Sequence, residues 1–166
     1  MGDQLAEPRD LFLKELAELL YVERALADEV LPKLHEQVEN KHFREGIEEH
    51  LEQTREHVAN LERLFELMGE PPRTDAVPAF DGLKGQQEES ASKLGSGLLR
   101  DLFNAGVAAH TEHYEISAYH GLLTLASILG EPDAVHLLEE NLHDEEETLE
   151  KVEKSIPDEL TTQLVS

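Results

Sequence analysis

Apolar residues recur along the chain at alternating spacings of three and four, which is the pattern of amphipathic helices packed together. The pattern predicts helices over about 8–38, 42–68, 98–129 and 133–154. Pro32 falls inside the first of these and predicts a kink or an end near Leu31, because proline lacks the backbone N–H and its ring clashes with the preceding turn. Pro157 is predicted to close the fourth helix and to leave a frayed tail.

Residues 70–97 break this pattern. Glycines and prolines there punctuate a short, weakly helical stretch over about 80–94. The segment is long for a connection between bundle helices, which usually takes about 2–8 residues, and it would let the second and third helices run parallel. One long crossover is typical of ferritin-like bundles. We therefore predict an all-α, ferritin-like four-helix bundle that forms a single domain over residues 1–166, with its core over about 9–154.

The chain is strongly acidic, with 37 Asp and Glu against 14 Lys and Arg and a formal net charge of -23. Such a surface repels phosphate, so neither nucleic acids nor anionic membranes are expected partners, and the charge serves either solubility or the gathering of metal ions. The lack of cysteine excludes disulfides, zinc–thiolate sites and iron–sulfur clusters. No apolar run reaches the roughly 20 residues that span a bilayer, and the first residues show no signal-peptide pattern, so we expect a cytoplasmic protein.

Polar residues occupy helix positions at which the periodicity demands apolar ones. The carboxylates at such positions are Glu23 in the first helix, Glu112 and Glu115 in the third, and Glu145 in the fourth. All of them fall near the middle of their helices. In the second helix, His50 and His57 lie within a fan of about 60° around the apolar stripe, at 100° per residue. These six residues are the candidate metal ligands.

Buried carboxylates are costly, because an unpaired one loses several kcal/mol of solvation. Four that meet at one level in a bundle cannot all stay ionised without added positive charge, and no basic residue lies on these stripes. Carboxylate oxygens together with imidazoles favour iron or manganese over copper or calcium. The pair Glu140–His143 has the Glu-x-x-His spacing of di-metal bundles, but both side chains point away from the stripe and are rejected as ligands.

Alternatives to metal ligation stay open at this stage. Glutamate is abundant in the chain, so Glu23 is also compatible with a place on the surface or at a dimer seam. His50 and His57 are equally compatible with hydrogen-bonded core positions. Tyr119 is expected either to pack in the core or to donate a hydrogen bond to a ligand.

Three segments carry a resemblance to a known family. They are EEHLEQTREHVANLERLFELMGEPP, AHTEHYEISAYHGLLTLASILG and LLEENLHDEEETLEKV. The chain resembles, over roughly residues 11–152, the YciE/YciF family of ferritin-like, stress-associated proteins. The resemblance implies a homodimer and a di-iron centre whose carboxylates correspond to Glu23, Glu112, Glu115 and Glu145. Gln53 stands where relatives often carry Glu, and His57 where they often carry Gln, which implies weaker metal binding or a share of it taken by His57.

Two functions are therefore expected to compete. The first is a non-haem di-iron or di-manganese protein that binds Fe(II) and reacts with oxygen or peroxide in stress protection. Ferroxidase-like or peroxidase-like oxidoreductase activity would make it an enzyme, and the sequence does not decide whether it turns over a substrate. The second is a metal-free, dimeric helical module with a structural or interaction role.

Overall fold

The computed structural model describes residues 5–95 and 97–166, and every regular element in those ranges is helical. The helices are α1 (Pro8–Ala25), α2 (Leu31–Gln37), α3 (Lys41–Leu67), α4 (Pro78–Ala91), α5 (Gly97–Leu129), α6 (Pro132–Glu150) and α7 (Ile156–Val165). Two wide, π-helical turns, Leu26–Val30 and Lys151–Ser155, join α1 to α2 and α6 to α7 without a break.

Four long rods form the bundle: α1 continued by α2, then α3, α5, and α6 continued by α7. Both α1 and α6 pack against α3 and against α5, so α1 and α6 lie at opposite corners of the bundle. The crossover from α3 to α5 contains α4, which packs on α5. The predicted ferritin-like bundle with one long crossover between its second and third long helices is confirmed.

Two apolar clusters fill the bundle at different levels. Phe12, Leu16 and Phe65 belong to the first, near the start of α1. Leu26 and Phe43 belong to the second, near the wide turns. Between the two clusters lies a layer of buried polar side chains from all four rods. The fold therefore places a polar layer halfway along an otherwise apolar core.

The wide turns explain how each long rod passes a proline. The backbone N–H of Leu31 donates to the carbonyl of Leu26, five residues back, just before Pro32. In the same way the N–H of Ile156 donates to the carbonyl of Lys151, just before Pro157. A widened turn gives the proline ring room beside the carbonyls of the preceding turn, so the chain stays helical.

The predicted end of the fourth helix at Pro157 is therefore wrong, and so is the frayed tail. The chain continues as α7, in which Ile156 and Leu160 are buried against the second cluster. Glu159 in α7 accepts a hydrogen bond from the Asn40 side chain at 2.9 Å and lies 2.7 Å from Nδ1 of His42. These contacts fasten α7 to the start of α3.

Glycine ends two of the long helices, as their sequence positions predict. Gly69 and Gly130 follow α3 and α5 with φ of 74° and 71°, the left-handed conformation that a residue without Cβ adopts at least cost. The similar segments LMGEPP and ILGEPD, which contain these glycines, thus share a helix stop.

The outer face of α5 differs from the rest of the acidic surface. From Leu102 to Leu129 its acidic residues are Glu112 and Glu115, both buried, and it has no Lys or Arg. The exposed positions of this face are Gly106, His110, His113, Ser117, His120, Thr124, Ser127 and Ile128. We refer to these residues as the neutral face. Among the described helices, none is long and apolar enough to cross a membrane.

Candidate metal centre

The polar layer contains all six residues that the sequence nominates, and each is almost completely removed from solvent. Their exposed fractions are Glu23 0%, His50 4%, His57 1%, Glu112 3%, Glu115 0% and Glu145 0%. α1 supplies Glu23, α3 both histidines, α5 two glutamates and α6 the last. Surface placement of Glu23, one of the alternatives, is thereby excluded.

The first group of converging side chains consists of Glu23, His57 and Glu145. Nδ1 of His57 lies 3.3 Å from Oε1 of Glu23 and 2.9 Å from Oε1 of Glu145. We call this the His57 group. One potential ligand atom from each residue lies within 4.8 Å of the others, a spacing that a single ion can bridge.

The second group consists of His50, Glu112, Glu115 and, again, Glu145. Nε2 of His50 lies 3.3 Å from Oε1 of Glu112 and 3.7 Å from Oε2 of Glu145. We call this the His50 group. Because Glu145 belongs to both groups, with one oxygen near each histidine, the geometry has the form of two adjacent cation positions that share a carboxylate.

Eight inward-facing polar atoms of the two groups have no hydrogen-bond partner among the residues that the structure describes. They are Oε2 of Glu23, Nε2 of His50, Nδ1 of His57, Oε2 of Glu112, and both oxygens of Glu115 and of Glu145. Leaving one buried donor or acceptor unpaired costs about 1–3 kcal/mol, and a charged group costs more. Nδ1 of His57 forms an ion pair with Glu145 when the ring is protonated, whereas the other atoms approach common points without pairing with one another. A bound cation would satisfy them together.

Each histidine is fixed through its other ring nitrogen. Nε2 of His57 lies 3.1 Å from Oδ2 of Asp144, and Nδ1 of His50 lies 3.1 Å from Oγ1 of Thr148. In the tautomer that leaves the inward nitrogen free, the outward nitrogen carries the hydrogen and donates it to these oxygens. Such a partner is the usual support of a metal-ligating histidine, because it sets both tautomer and ring orientation.

Tyr119 serves the carboxylate of α1. Its hydroxyl donates a hydrogen bond to Oε1 of Glu23 and accepts one from Nδ2 of Asn141 at 3.0 Å. Asn141 in turn accepts from the Asn60 side chain at 2.8 Å. Both expectations for Tyr119 are met, because the ring is buried in the first apolar cluster and the hydroxyl donates to a carboxylate of the polar layer, which holds Glu23 in one orientation.

Burial sets the protonation of this layer in the absence of a cation. It raises the pKa of Glu112 and of Glu145 from an ordinary 4.5 to about 7, and in Glu145 the negative charge of Glu112 adds to the effect. Burial and neighbouring carboxylates also raise the pKa of Glu23 and of Glu115. For His57, burial lowers the pKa, but Glu23 and Glu145 outweigh it and raise it to about 11. Protons thus take the place that positive ions would otherwise fill.

The rejected pair Glu140–His143 lies on the surface, with side chains 53% and 70% exposed. Sequence reasoning did not find Asp144, Thr148 or Asn141, which support the histidines and the tyrosine. Asn141 and Thr148 are buried polar residues four before and three after Glu145, and that spacing was the available indication. Asp144 is 26% exposed, and its position in the sequence gave no indication that it contacts His57.

Gln53 lies on α3 between the two histidines, one turn from each. Its Oε1 atom is buried and has no hydrogen-bond partner in the described part of the chain, although the residue as a whole is only half-buried. The amide therefore retains an unused acceptor beside the polar layer.

Known families and structures match nearly the whole chain. Residues 7–165 match the family model described as "Domain of unknown function (DUF892)". Protein YciF of Escherichia coli (strain K12) is 30% identical over 141 residues, which cover 84% of each protein.

Two solved structures share the complete bundle. YcfI of Rhodopseudomonas palustris, named as a candidate structural protein, superposes with a TM-score of 0.89 at 30% identity, covering 93% of this chain and 98% of the other. The crystal structure of the E. coli stress protein YciF gives 0.85 at 27% identity, covering 92% and 96%.

Proposed function

Because the chain belongs to the family described as "Domain of unknown function (DUF892)" and shares its fold with the stress protein YciF, we propose that it binds a pair of metal ions in the polar layer of its bundle. The family expected from the sequence is thereby confirmed. The observation that carries the proposal is the set of buried, unpartnered nitrogen and carboxylate oxygen atoms that converge as two groups sharing Glu145.

The donor set fits iron first and manganese second. In the proposed assignment, Glu23 and His57 would hold one ion, His50, Glu112 and Glu115 the other, and Glu145 both. Carboxylate oxygens with one imidazole for each ion suit Fe or Mn, whereas the layer offers none of the thiolates that favour softer metals. The four carboxylates would offset the charge of two divalent ions, which leaves a neutral pair in the core.

The chain's own residues would prepare and protect this pair. Bound iron would supply one-electron chemistry toward oxygen or peroxide, consistent with a role in stress protection. Tyr119 keeps Glu23 oriented through its O–H donation, and Asp144 and Thr148 keep the histidine rings oriented. The apolar clusters close the core on either side of the layer.

The test is metal binding and its effect on unfolding. Protein purified without added metal is analysed for metal content, stripped, and melted with and without Fe(II) or Mn(II) under anaerobic conditions. Free metal at about 100 times Kd stabilises by about 2.7 kcal/mol, which raises the melting temperature of a chain this size by roughly 5–10 °C. Aerobic Fe(II) addition followed by optical absorption then measures oxidation.

Glu112→Ala should lose the part of this stabilisation that the ion of the His50 group supplies, whereas Glu146→Ala, a change at an exposed neighbour of Glu145, should keep all of it. A wild-type protein that melts at the same temperature with metal, without it and with a chelator contradicts the proposal. That result would support the second candidate function, a metal-free structural or interaction module. The description of YcfI as a candidate structural protein is the observation that favours it.

We further propose that the protein is a homodimer that pairs through the neutral face of α5. At a net charge of -23, two copies repel each other across most surfaces, and the exposed residues of the neutral face add no like charge of their own, although Glu153 lies at its edge, 2.6 Å from His113. Ile128, 62% exposed, would be covered there. Sedimentation should give a dimer for the wild type and a monomer for Ser117→Glu; a monomeric wild type would refute the pairing.

A further inference from the structure

A cavity of about 310 Å³ lies between α2, α3, α5 and the second wide turn, and its inner end is the metal centre. Its walls are mainly apolar, formed by Leu34, Phe43, Ile47, Ala108, Val152 and Ile156. His50 and Glu112 line it from within the polar layer. Volume and lining both match small-molecule sites, which span roughly 300–1,000 Å³ and combine apolar walls with a few polar groups.

The polar groups at the inner end are not satisfied by the protein. Within residues 5–95 and 97–166, Nε2 of His50 and Oε2 of Glu112 have no hydrogen-bond partner, and both residues are more than nine-tenths buried. The cavity therefore does more than relieve imperfect packing, because it leads from the surface to atoms that have bonding capacity left.

The charges at the mouth are paired. Glu49 forms an ion pair with Lys151 at 2.8 Å, Glu45 lies 3.6 Å from Lys41, and His42 lies 2.7 Å from Glu159. In the part of the chain that the structure describes, the acidic side chains around this opening are therefore neutralised by basic partners and do not attract cations to it. A hydrated ion passing the apolar walls would lose solvation without compensation. The chemistry of the route selects an uncharged molecule.

We propose that this cavity binds an uncharged, apolar small molecule, one aromatic ring in size or somewhat larger, with one end against His50 and Glu112. An apolar cavity of ~150 Å³ already holds benzene in another protein, and this one is about twice as large. The role of the bound molecule rests on the proposed function. It would be an organic reaction partner of the metal pair, held beside the His50 group.

Indole is a suitable probe, because the chain contains no Trp and the fluorescence of indole is read without background. Metal-stripped protein is titrated with indole and, separately, with indole-3-carboxylate. We expect saturable binding of indole and binding of the carboxylate weaker by tenfold or more.

Gly46→Leu closes the cavity with little risk to the fold. Gly46 lines the cavity on α3, and a Cβ built there meets nothing within 4 Å, so leucine enters open space and favours the helix. Gly85→Leu is the matched control, since Gly85 is exposed on α4, away from the cavity, and equally unobstructed. Indole affinity should fall tenfold or more in the first variant and stay unchanged in the second.

The proposal is overturned if indole does not bind saturably, if Gly46→Leu binds it as the wild type does, or if the carboxylate binds equally well. Repeating the titration after iron loading separates the two proposals. If the protein binds indole but no iron, the cavity proposal stands and the metal-centre proposal is refuted. If it binds iron but no indole, the metal-centre proposal stands and the cavity proposal is refuted.

Discussion

His50 and His57 lie two turns apart on α3, yet they have different surroundings. His57 sits between two carboxylates on its inner side and Asp144 on its outer side, so polar groups surround its ring. His50 has Thr148 behind it and an apolar cavity beside it. One half of the layer is thus held by a hydrogen-bonded network beside a polar surface depression, and the other half borders an apolar cavity that a molecule can enter.

This difference suggests a division of labour within one site. Tyr119 and Asn141 fix the carboxylate of the His57 group, and Asp144 connects that group to the surface. The His50 group has no comparable polar network on its cavity side. We therefore expect the His57 group to hold its ion firmly and the His50 group to meet substrates. The following experiments test this contrast.

The largest effect is expected from Glu145→Gln, because Glu145 is common to both groups. Binding of both ions should weaken by more than ~100-fold, beyond what the loss of a supporting residue costs. The metal-free variant should not melt lower than the wild type at neutral pH, since one of several mutually repelling buried carboxylates is gone. Metal titration followed by calorimetry checks both points. Glu146→Gln serves as the control, and retention of either ion in Glu145→Gln would contradict the shared carboxylate.

Alanine at each histidine should remove one ion and leave the other. His57→Ala leaves Glu23 and Glu145 without their positive neighbour, and breaking a buried charge pair costs about 3 kcal/mol or more. His50→Ala extends an existing cavity and should cost less. Metal content and melting of the stripped proteins measure the difference, with the exposed His136→Ala as the reference. Equal losses of metal and of stability in the two variants would contradict the proposed difference between the His57 group and the His50 group.

Acidification should release metal and stabilise the metal-free protein. The pKa of Glu112 and of Glu145 is about 7 in the fold against 4.5 ordinarily, so the folded protein holds protons that the unfolded chain releases. Stability of the stripped protein therefore falls as pH rises from about 4.5 through about 7. Metal must displace the same protons, so its affinity rises over that window, by up to about tenfold per proton and pH unit. Titrations and melts across the window check both signs; flat profiles would show that these carboxylates are ionised without metal.

The smallest effect is expected from Asp144→Asn, which keeps the shape but removes the charge beside Nε2 of His57. Loss of such support typically costs about 10–100-fold in metal affinity, and we expect the lower end because Asp144 is partly exposed. The effect should be confined to one of the two ions. Calorimetric titration resolves the two binding steps, with Glu147→Gln as the surface control. Equal weakening of both steps would mean that the groups act as one unit.

Most of the fold follows from the spacing of apolar residues, because each long helix buries one continuous stripe. The wide turns do not follow, since a single inserted residue in a helix leaves no compositional mark. Val152, Ile156 and Leu160 nevertheless continue the stripe at spacings of four through Pro157, and all three are buried. Giving more weight to that spacing than to the proline would have predicted α7.

The buried carboxylates of the candidate site were predictable, because each glutamate occupies a helix position where the periodicity predicts an apolar residue. Asp144 was not, because an aspartate next to the stripe is indistinguishable from its acidic neighbours until the ring of His57 is placed. The cavity could not be predicted from the sequence either. Its walls come from segments that are distant in the chain, and apolar stripes do not reveal where they fail to meet.

The spread of the polar layer across α1, α3, α5 and α6 has a consequence for biosynthesis. A nascent chain presents Glu23 early, but Glu145 emerges only after nearly all of the bundle has been synthesised. Until then the other carboxylates of the polar layer stay hydrated. Their unfavourable burial takes place only when all four rods have packed together, at the end of folding. We therefore expect ions to be captured late in folding, when an unfinished bundle is still open to the cell's metal supply.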